Sequence, residues 1–170
     1  EDAFGKFIKK IFEPRKEIEE NKFYRNLINI KFQHFLTTNY DSLLEQFSKF
    51  LPTNCDRLCW DEEKKVQEFI RNLNRTSAPT DTRYIFYLHG RFDSPTQTII
   101  LSERDYGKRY KVGNLTSKAL WMAAAIKNVI FIGFGFEDFD LLKIFREVNW
   151  ELGAENEPRH YLSLIHISEP

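Results

Sequence analysis

Residues 83–90 have the sequence RYIFYLHG, and this stretch decides the fold class. Its first six residues form a continuous aromatic and aliphatic run, which is typical of a β-strand buried on both faces. A second such run, NVIFI, occupies residues 128–132, and a strong helical pattern precedes it over residues 117–127. Buried strands that alternate with helices predict a parallel sheet covered by helices on both faces, which is the α/β class.

The rest of the chain fits this alternation. Amphipathic spacing predicts helices over residues 2–12, 23–30, 42–50, 61–74 and, from about Asp138, to residue 152, with a short helix opening at Ser102. Strand patterns cover residues 32–36, the residues leading to Trp60, and residues 98–101.

Composition excludes several classes of function. The 170 residues, about one domain in size, include 25 Lys and Arg against 25 Asp and Glu, so no basic excess favours nucleic-acid or membrane binding by this segment. No apolar run approaches the ~18 residues of a membrane span, and Cys55 and Cys59 cannot supply a four-thiolate zinc site. We expect two ordinary thiols and a cytoplasmic location.

Polar residues and glycines follow three of the predicted strands. Asn39 and Asp41 follow the first, His89 closes the 83–88 strand, and a Gly133–Gly135 turn follows the 128–132 strand. Because parallel strands end at one edge of a sheet, these groups are expected to converge in a ligand crevice. We expect His89 and the glycine that follows it to lie where loops meet solvent.

Each feature also has a purely structural interpretation. Asn39 and Asp41 are common turn and helix-capping residues, with Asp41 a candidate N-cap. His89 fits a hydrogen-bonded core histidine, and a tight turn at 133–135 favours glycine in any case. The acidic residues of 137–140 are expected to favour the dipole of the following helix rather than to do chemistry.

Three motifs in order resemble the sirtuin-like (silent information regulator two-like) NAD-binding domains. Residues 37–45 (TTNYDSLLE) resemble the family signature TTNYDxLLE, and residues 87–106 carry YLHG, IIL and DY where the family has YLHG, ILT and DY. Residues 131–141 (FIGFGFEDFDL) resemble the family turn FIGYSFxDPDL. The resemblance spans about residues 30–142 and implies a Rossmann-like parallel sheet that takes NAD as its substrate.

The resemblance also implies residue roles. Asn39 and His89 become the catalytic pair that cleaves the nicotinamide–ribose bond. The implied cofactor-binding residues are Thr38, Asp41, Gly90, Gly133, Phe134 and Gly135. An amide and a carboxylate suit an oxocarbenium-like transition state, and a histidine can accept a proton at neutral pH.

Departures from the family narrow the expected activity. Protein-deacylating sirtuins carry a zinc ribbon after the His-Gly pair, but residues 90–133 contain no cysteine, so we expect no zinc and disfavour deacylation. The resemblance then favours the branch that hydrolyses NAD, many of whose members act in bacterial antiphage defence. A module that senses NAD or ADP-ribose without turnover is the alternative.

The family's GAGxS phosphate loop and its central strand are expected upstream of Glu1. Residues 1–162 would then form a partial domain that binds NAD poorly by itself, with flanking effector or sensor domains and a homo-oligomeric assembly. Residues 163–170 (SLIHISEP) resemble read-through of a sequencing adaptor, a non-native tail, or else continue a last strand that begins near His160.

Overall fold

The computed structural model describes residues 3–13, 22–50, 54–73, 82–109, 113–134, 138–153 and 160–163. Its helices are α1 Ala3–Phe12, α2 Lys22–Asn29, α3 Leu43–Ser48, α4 Glu63–Leu73, α5 Glu103–Arg109, α6 Leu115–Ile126 and α7 Phe139–Glu151. Its strands are β1 Phe35–Thr37, β2 Asn54–Cys59, β3 Thr82–Tyr87, β4 Val129–Ile132 and β5 His160–Ser163. None of these described helices is long and apolar enough to cross a membrane.

All strand pairs are parallel, which confirms the α/β class. One sheet has the order β1-β3-β2, and the second consists of β4 beside β5. The register places Thr37 and Cys59 on either side of Tyr87, so three strands end at one edge. The described strands therefore form two parallel sheets, where the sequence predicts one.

The larger core lies between the three-stranded sheet and helices α4 and α6. Phe69 of α4, Leu120 of α6 and Phe86 of β3 are each 0% exposed. Buried alanines of α6, among them Ala119 and Ala124, lie in the same cluster, and their small side chains allow close packing of the helix. Burial of these side chains is the main favourable contribution to folding of this half.

The opposite face of β3 is covered as well. Ile85 and Tyr87 pack with Phe35 and Phe47, and the ring of Tyr24 from α2 stacks on Phe47 with centroids 5.4 Å apart. Both faces of β3 are therefore buried, as its continuous apolar run predicts.

The prediction of a strand over residues 98–101 is wrong. Residues Thr96–Thr98 form a 3₁₀ turn after Pro95, and the Thr98 hydroxyl donates to the Pro95 carbonyl at 2.8 Å. Extended backbone follows at Ile99, and the Ile100 amide donates to the carbonyl of His89 at 2.9 Å without forming a ladder. The proline and the threonine side chain favour a turn over strand pairing.

The last strand does begin at His160, where it pairs with Val129. Strand β5 ends at Ser163, so residues 164–170 of the suspected tail lie outside the described residues. The non-native origin of residues 163–170 stays a prediction.

Candidate functional site

The carboxyl ends of β1 and β3 continue side by side beyond the sheet. The Leu88 amide donates to the Thr37 carbonyl at 2.8 Å, and the Phe92 amide donates to the Tyr40 carbonyl at 2.9 Å. These bonds hold residues 38–41 against residues 88–92. The loops that carry the predicted Asn39 and His89 are thus fixed next to each other, as expected for neighbouring parallel strands.

A cleft of about 870 Å³ separates β1 from β4. Its apolar wall includes Leu36, Leu120 and Phe131. Five of the predicted site residues line it: Thr38, Asn39, Asp41, Gly133 and Phe134. The cleft is therefore where most of the predicted binding residues meet.

The side chains of Asn39 and Asp41 have different partners within the protein. Asn39 is exposed, and its side chain hydrogen-bonds the phenol of Tyr24. One carboxylate oxygen of Asp41 accepts the Leu43 amide at 2.9 Å, but the N-cap of α3 is Ser42, so the prediction of Asp41 as the N-cap is wrong by one residue. Burial, followed by the negative charge of Asp41, raises the pKa of Tyr24, so this phenol stays protonated beside Asn39.

His89 is buried, with 4% of its surface exposed, so the expectation that it lies where loops meet solvent is wrong. Its Nε2 lies 2.9 Å from Oδ2 of Asp138. The ring of Tyr106 meets the imidazole edge-on at 5.1 Å, and the ring of Tyr40 lies 6.4 Å away. The N-terminus of α7, helix α5 and the 38–41 loop together cover the histidine.

The two glycines of the site that the structure describes both have left-handed backbone. Gly90 has φ +82°, and a Cβ there would lie 2.8 Å from the carbonyl oxygen of Thr98. Gly133 has φ +62° but open space around it. Only glycine adopts these angles without strain, so the loops after β3 and β4 depend on it. Gly135 lies outside the described residues.

Asp138 is the functional candidate that the sequence analysis missed. Its Oδ1 accepts the Leu141 amide at 3.0 Å, so it caps α7 as the dipole argument expects. Its Oδ2 contacts His89, and the residue is 8% exposed. The aspartate of the FIGYSFxDPDL motif was the available signal, but nothing in the sequence pairs residue 138 with residue 89.

Arg91 fixes the loop that follows the histidine. It is 8% exposed, its Nε lies 2.8 Å from Oε1 of Glu45 in α3, and it also pairs with Asp93. The guanidinium lies over the ring of Phe92, 4.8 Å from its centroid. These contacts hold the 88–92 loop on α3, which begins just after Asp41.

Other groups near the site are held in neutral forms. Burial, with smaller effects from Tyr106, Asp105 and Asp138, raises the pKa of Tyr40 to about 12, and its hydroxyl donates to the Ile100 carbonyl. Burial raises the pKa of the Cys59 thiol to about 11, so it is no nucleophile at neutral pH. Over the described residues, no group of three or more His, Cys, Asp or Glu side chains could hold a metal ion.

The chain has recognisable relatives. The profile of the family described as "SIR2-like domain" matches residues 33–168. The "NAD(+) hydrolase ThsA" of Enterococcus faecium is 29% identical over 153 residues, which cover 89% of this chain and 29% of that protein. "Defense-associated sirtuin 2" of Bacillus subtilis is 25% identical over 162 residues, covering 94% of this chain and 14% of that protein.

A second NAD(+) hydrolase ThsA, from Bacillus cereus, is 25% identical over 161 residues, with 93% of this chain and 30% of that protein covered. The chain therefore spans less than a third of the length of each of these three relatives.

Proposed function

This chain belongs to the SIR2-like domain family, and from that membership we propose that it supplies catalytic residues to an NAD⁺ hydrolase of bacterial antiphage defence. Similarity to proteins named NAD(+) hydrolase and defense-associated sirtuin supports the proposal. The observation that carries it is the placement of Asn39 and His89 on adjoining loops at the carboxyl edge of β1 and β3.

The reaction breaks the bond between C1′ of the ribose and the nicotinamide nitrogen. The bonding electron pair leaves with the ring, which becomes neutral nicotinamide, while positive charge develops at C1′ and the ring oxygen. Water then adds to C1′ and loses a proton, so that NAD⁺ and water give ADP-ribose, nicotinamide and H⁺. The enzyme needs a polar group that orients the sugar and a base that takes the proton.

Asn39 and His89 suit these two roles. The exposed amide of Asn39 can hydrogen-bond the ribose hydroxyls or the attacking water, and the imidazole of His89 can accept the proton. Asp41, which lines the cleft together with Asn39, can orient the ribose or the nicotinamide carboxamide. Backbone beside Gly133, in an open left-handed turn, suits the adenosine half of the dinucleotide.

The burial of His89 favours a second candidate, a module that binds NAD or ADP-ribose without turnover. In such a module, the buried histidine and its carboxylate partner would hold the loop and take no part in chemistry. Nicotinamide release measured alongside binding separates the two functions, because a sensor binds the dinucleotide and releases no nicotinamide.

The test compares nicotinamide release by the full-length protein and its Asn39→Ala and His89→Gln variants. Each substitution is expected to lower turnover by at least about 100-fold, through loss of the base in His89→Gln and of a hydrogen bond in the transition state in Asn39→Ala. A matched control is Asn54→Ala at the exposed start of β2, at the opposite edge of the sheet.

This control is expected to keep wild-type turnover near pH 7.5. Wild-type turnover in both single variants, Asn39→Ala and His89→Gln, would overturn the assignment of the catalytic pair. Binding of NAD by the wild-type protein without any nicotinamide release would select the sensing module.

A further inference from the structure

We propose that Asp138 is a positioning residue that fixes the imidazole of His89 in one tautomer for NAD⁺ cleavage. The inference rests on the proposed function and assigns a role to a residue that lies 49 positions from the histidine in sequence. It follows from the contact between Asp138 Oδ2 and His89 Nε2 at 2.9 Å, in which both side chains are about 5% exposed.

The charge of Asp138 selects the tautomer. An ionised carboxylate can only accept a hydrogen bond, so the Nε2 atom of a neutral His89 must carry the proton. The basic lone pair then lies on Nδ1, which becomes the atom that takes a proton in the reaction. Burial of the pair strengthens this preference, because water does not compete for either group.

The ring contacts of His89 with Tyr106 and Tyr40 do not by themselves fix a tautomer. Tyr106 of α5 meets the imidazole as a ring edge, and Tyr40, whose hydroxyl donates to the Ile100 carbonyl, lies farther away. Gly90 and the bond from the Ile100 amide fix the backbone of residue 89. Asp138 is thus the charged group, among those that the structure describes around the ring, that can orient its nitrogens.

Asp138 also joins two parts of the fold. It lies between β4 and α7 and caps α7 through Oδ1, whereas His89 follows β3 of the other sheet. The two carboxylate oxygens of Asp138 therefore have different roles, and substitutions can separate these roles. Asn and Ser both cap helices about as well as Asp, so either replacement retains the cap and removes the carboxylate from the histidine.

The test measures kcat, KM for NAD, and Tm for Asp138→Asn and Asp138→Ser in the full-length protein. We expect kcat to fall by about 100-fold, as for loss of a carboxylate that orients a reactive histidine, with KM changed less than about threefold. The Asn variant is expected to be the slower of the two, because its amide donates to Nε2 and imposes the opposite tautomer. Asp140→Asn, in the first turn of the same helix, is the matched control with unchanged kcat.

The order of the Asn and Ser variants in kcat, with KM nearly unchanged, is a readout that a merely structural role would not move. Both replacements retain the cap of α7, but only the asparagine amide can donate to Nε2 of His89.

Wild-type kcat in Asp138→Asn, or a loss of kcat that only follows a fall in Tm of about 10 °C or more in both variants, would overturn the inference. His89→Gln separates this failure from a failure of the proposed function. If that variant is inactive while Asp138→Asn is fully active, the hydrolase assignment stands and the role of Asp138 is refuted.

Discussion

The backbone angles and contacts at single positions of the carboxyl edge each require a particular residue type. Gly90 combines a positive φ with a carbonyl oxygen where a Cβ would go, and Asp138 divides its two oxygens between a helix cap and an imidazole. His34, just before β1, is half-buried, and its Nδ1 accepts the Tyr84 amide at 3.3 Å. These local requirements lead to predictions for single substitutions.

Replacement of Gly90 by alanine is expected to destabilise the protein by about 2 kcal/mol or more, since the left-handed backbone and the 2.8 Å contact with Thr98 both oppose a Cβ. Gly107→Ala in α5 is the matched control. No atom lies within 4 Å of a Cβ there, so this substitution should stabilise the helix by roughly 0.5–1 kcal/mol. Thermal unfolding of both variants checks the prediction, and an equal Tm would contradict it.

His34 predicts a pH dependence of stability. Burial, helped by Lys127 and Arg83, lowers its pKa from 6.5 to about 4. The unfolded chain therefore binds a proton first as the pH falls. The contribution of His34 to the free energy of unfolding is complete above pH 6.5 and is lost between pH 6.5 and about 4. The loss amounts to about 2 kcal/mol by pH 5.

The measurement is the free energy of unfolding at pH 7.5 and pH 5 for the wild type and for His34→Gln. Glutamine retains an acceptor for the Tyr84 amide but does not titrate in this range. We expect the wild type to lose about 2 kcal/mol more than the variant over this interval. The same loss in both proteins would show that His34 does not control the slope.

At the scale of elements, the sequence predicts well wherever one local signal decides. The continuous runs at β3 and β4 and the amphipathic pattern of α4 each give an element within two residues of its bounds, because burial and periodicity are local properties. The prediction of a strand over residues 98–101 is wrong because Pro95 and the Thr98 hydroxyl impose a turn on an apolar segment. The prediction that His89 lies where loops meet solvent is wrong for another reason. Helices α5 and α7, which cover the histidine, come later in the sequence.

Helix α6 begins at a side-chain cap, Asn114. The Asn114 side chain accepts the Thr116 amide at 2.9 Å. Asn114→Ala is expected to cost about 1 kcal/mol of stability, because a first-turn amide loses its acceptor, whereas Asn114→Ser should cost only a few tenths. Tm measured for the two variants checks this, and equal values would mean that the bond contributes nothing.

At the scale of the whole molecule, the arrangement of the sheets determines the site. The three-stranded sheet ends at β1, the second sheet contains β4, and the cleft that holds Thr38, Asn39 and Asp41 lies between them. The motifs predict five of the residues that line this cleft, but His89 and Gly90 are not among its lining residues, and the motifs give no indication of its width. That width depends on how two sheets pack, which no local pattern encodes.

The last prediction concerns binding by residues 1–170 alone. In this chain, β1 and β4 have one paired neighbour each among the described strands, and the cleft between them is largely apolar at its walls. A phosphate-binding loop and a central strand, which the resemblance puts upstream, would bring backbone donors to the pyrophosphate and close this gap. Among the described residues that line the cleft, Asn39, Asp41 and the turn at Gly133 are available to the dinucleotide, and the upstream loop would add donors for its two phosphates.

Calorimetric titration of NAD therefore compares residues 1–170 with the full-length protein, both carrying His89→Gln so that the ligand is not consumed. The short chain should bind at least about tenfold more weakly, a difference of about 1.4 kcal/mol, because the phosphate contacts are absent. Far-ultraviolet circular dichroism of the two proteins reports whether the short chain is folded when it is titrated. Affinity equal to that of the full-length protein would mean that the cleft between β1 and β4 is already a complete dinucleotide site.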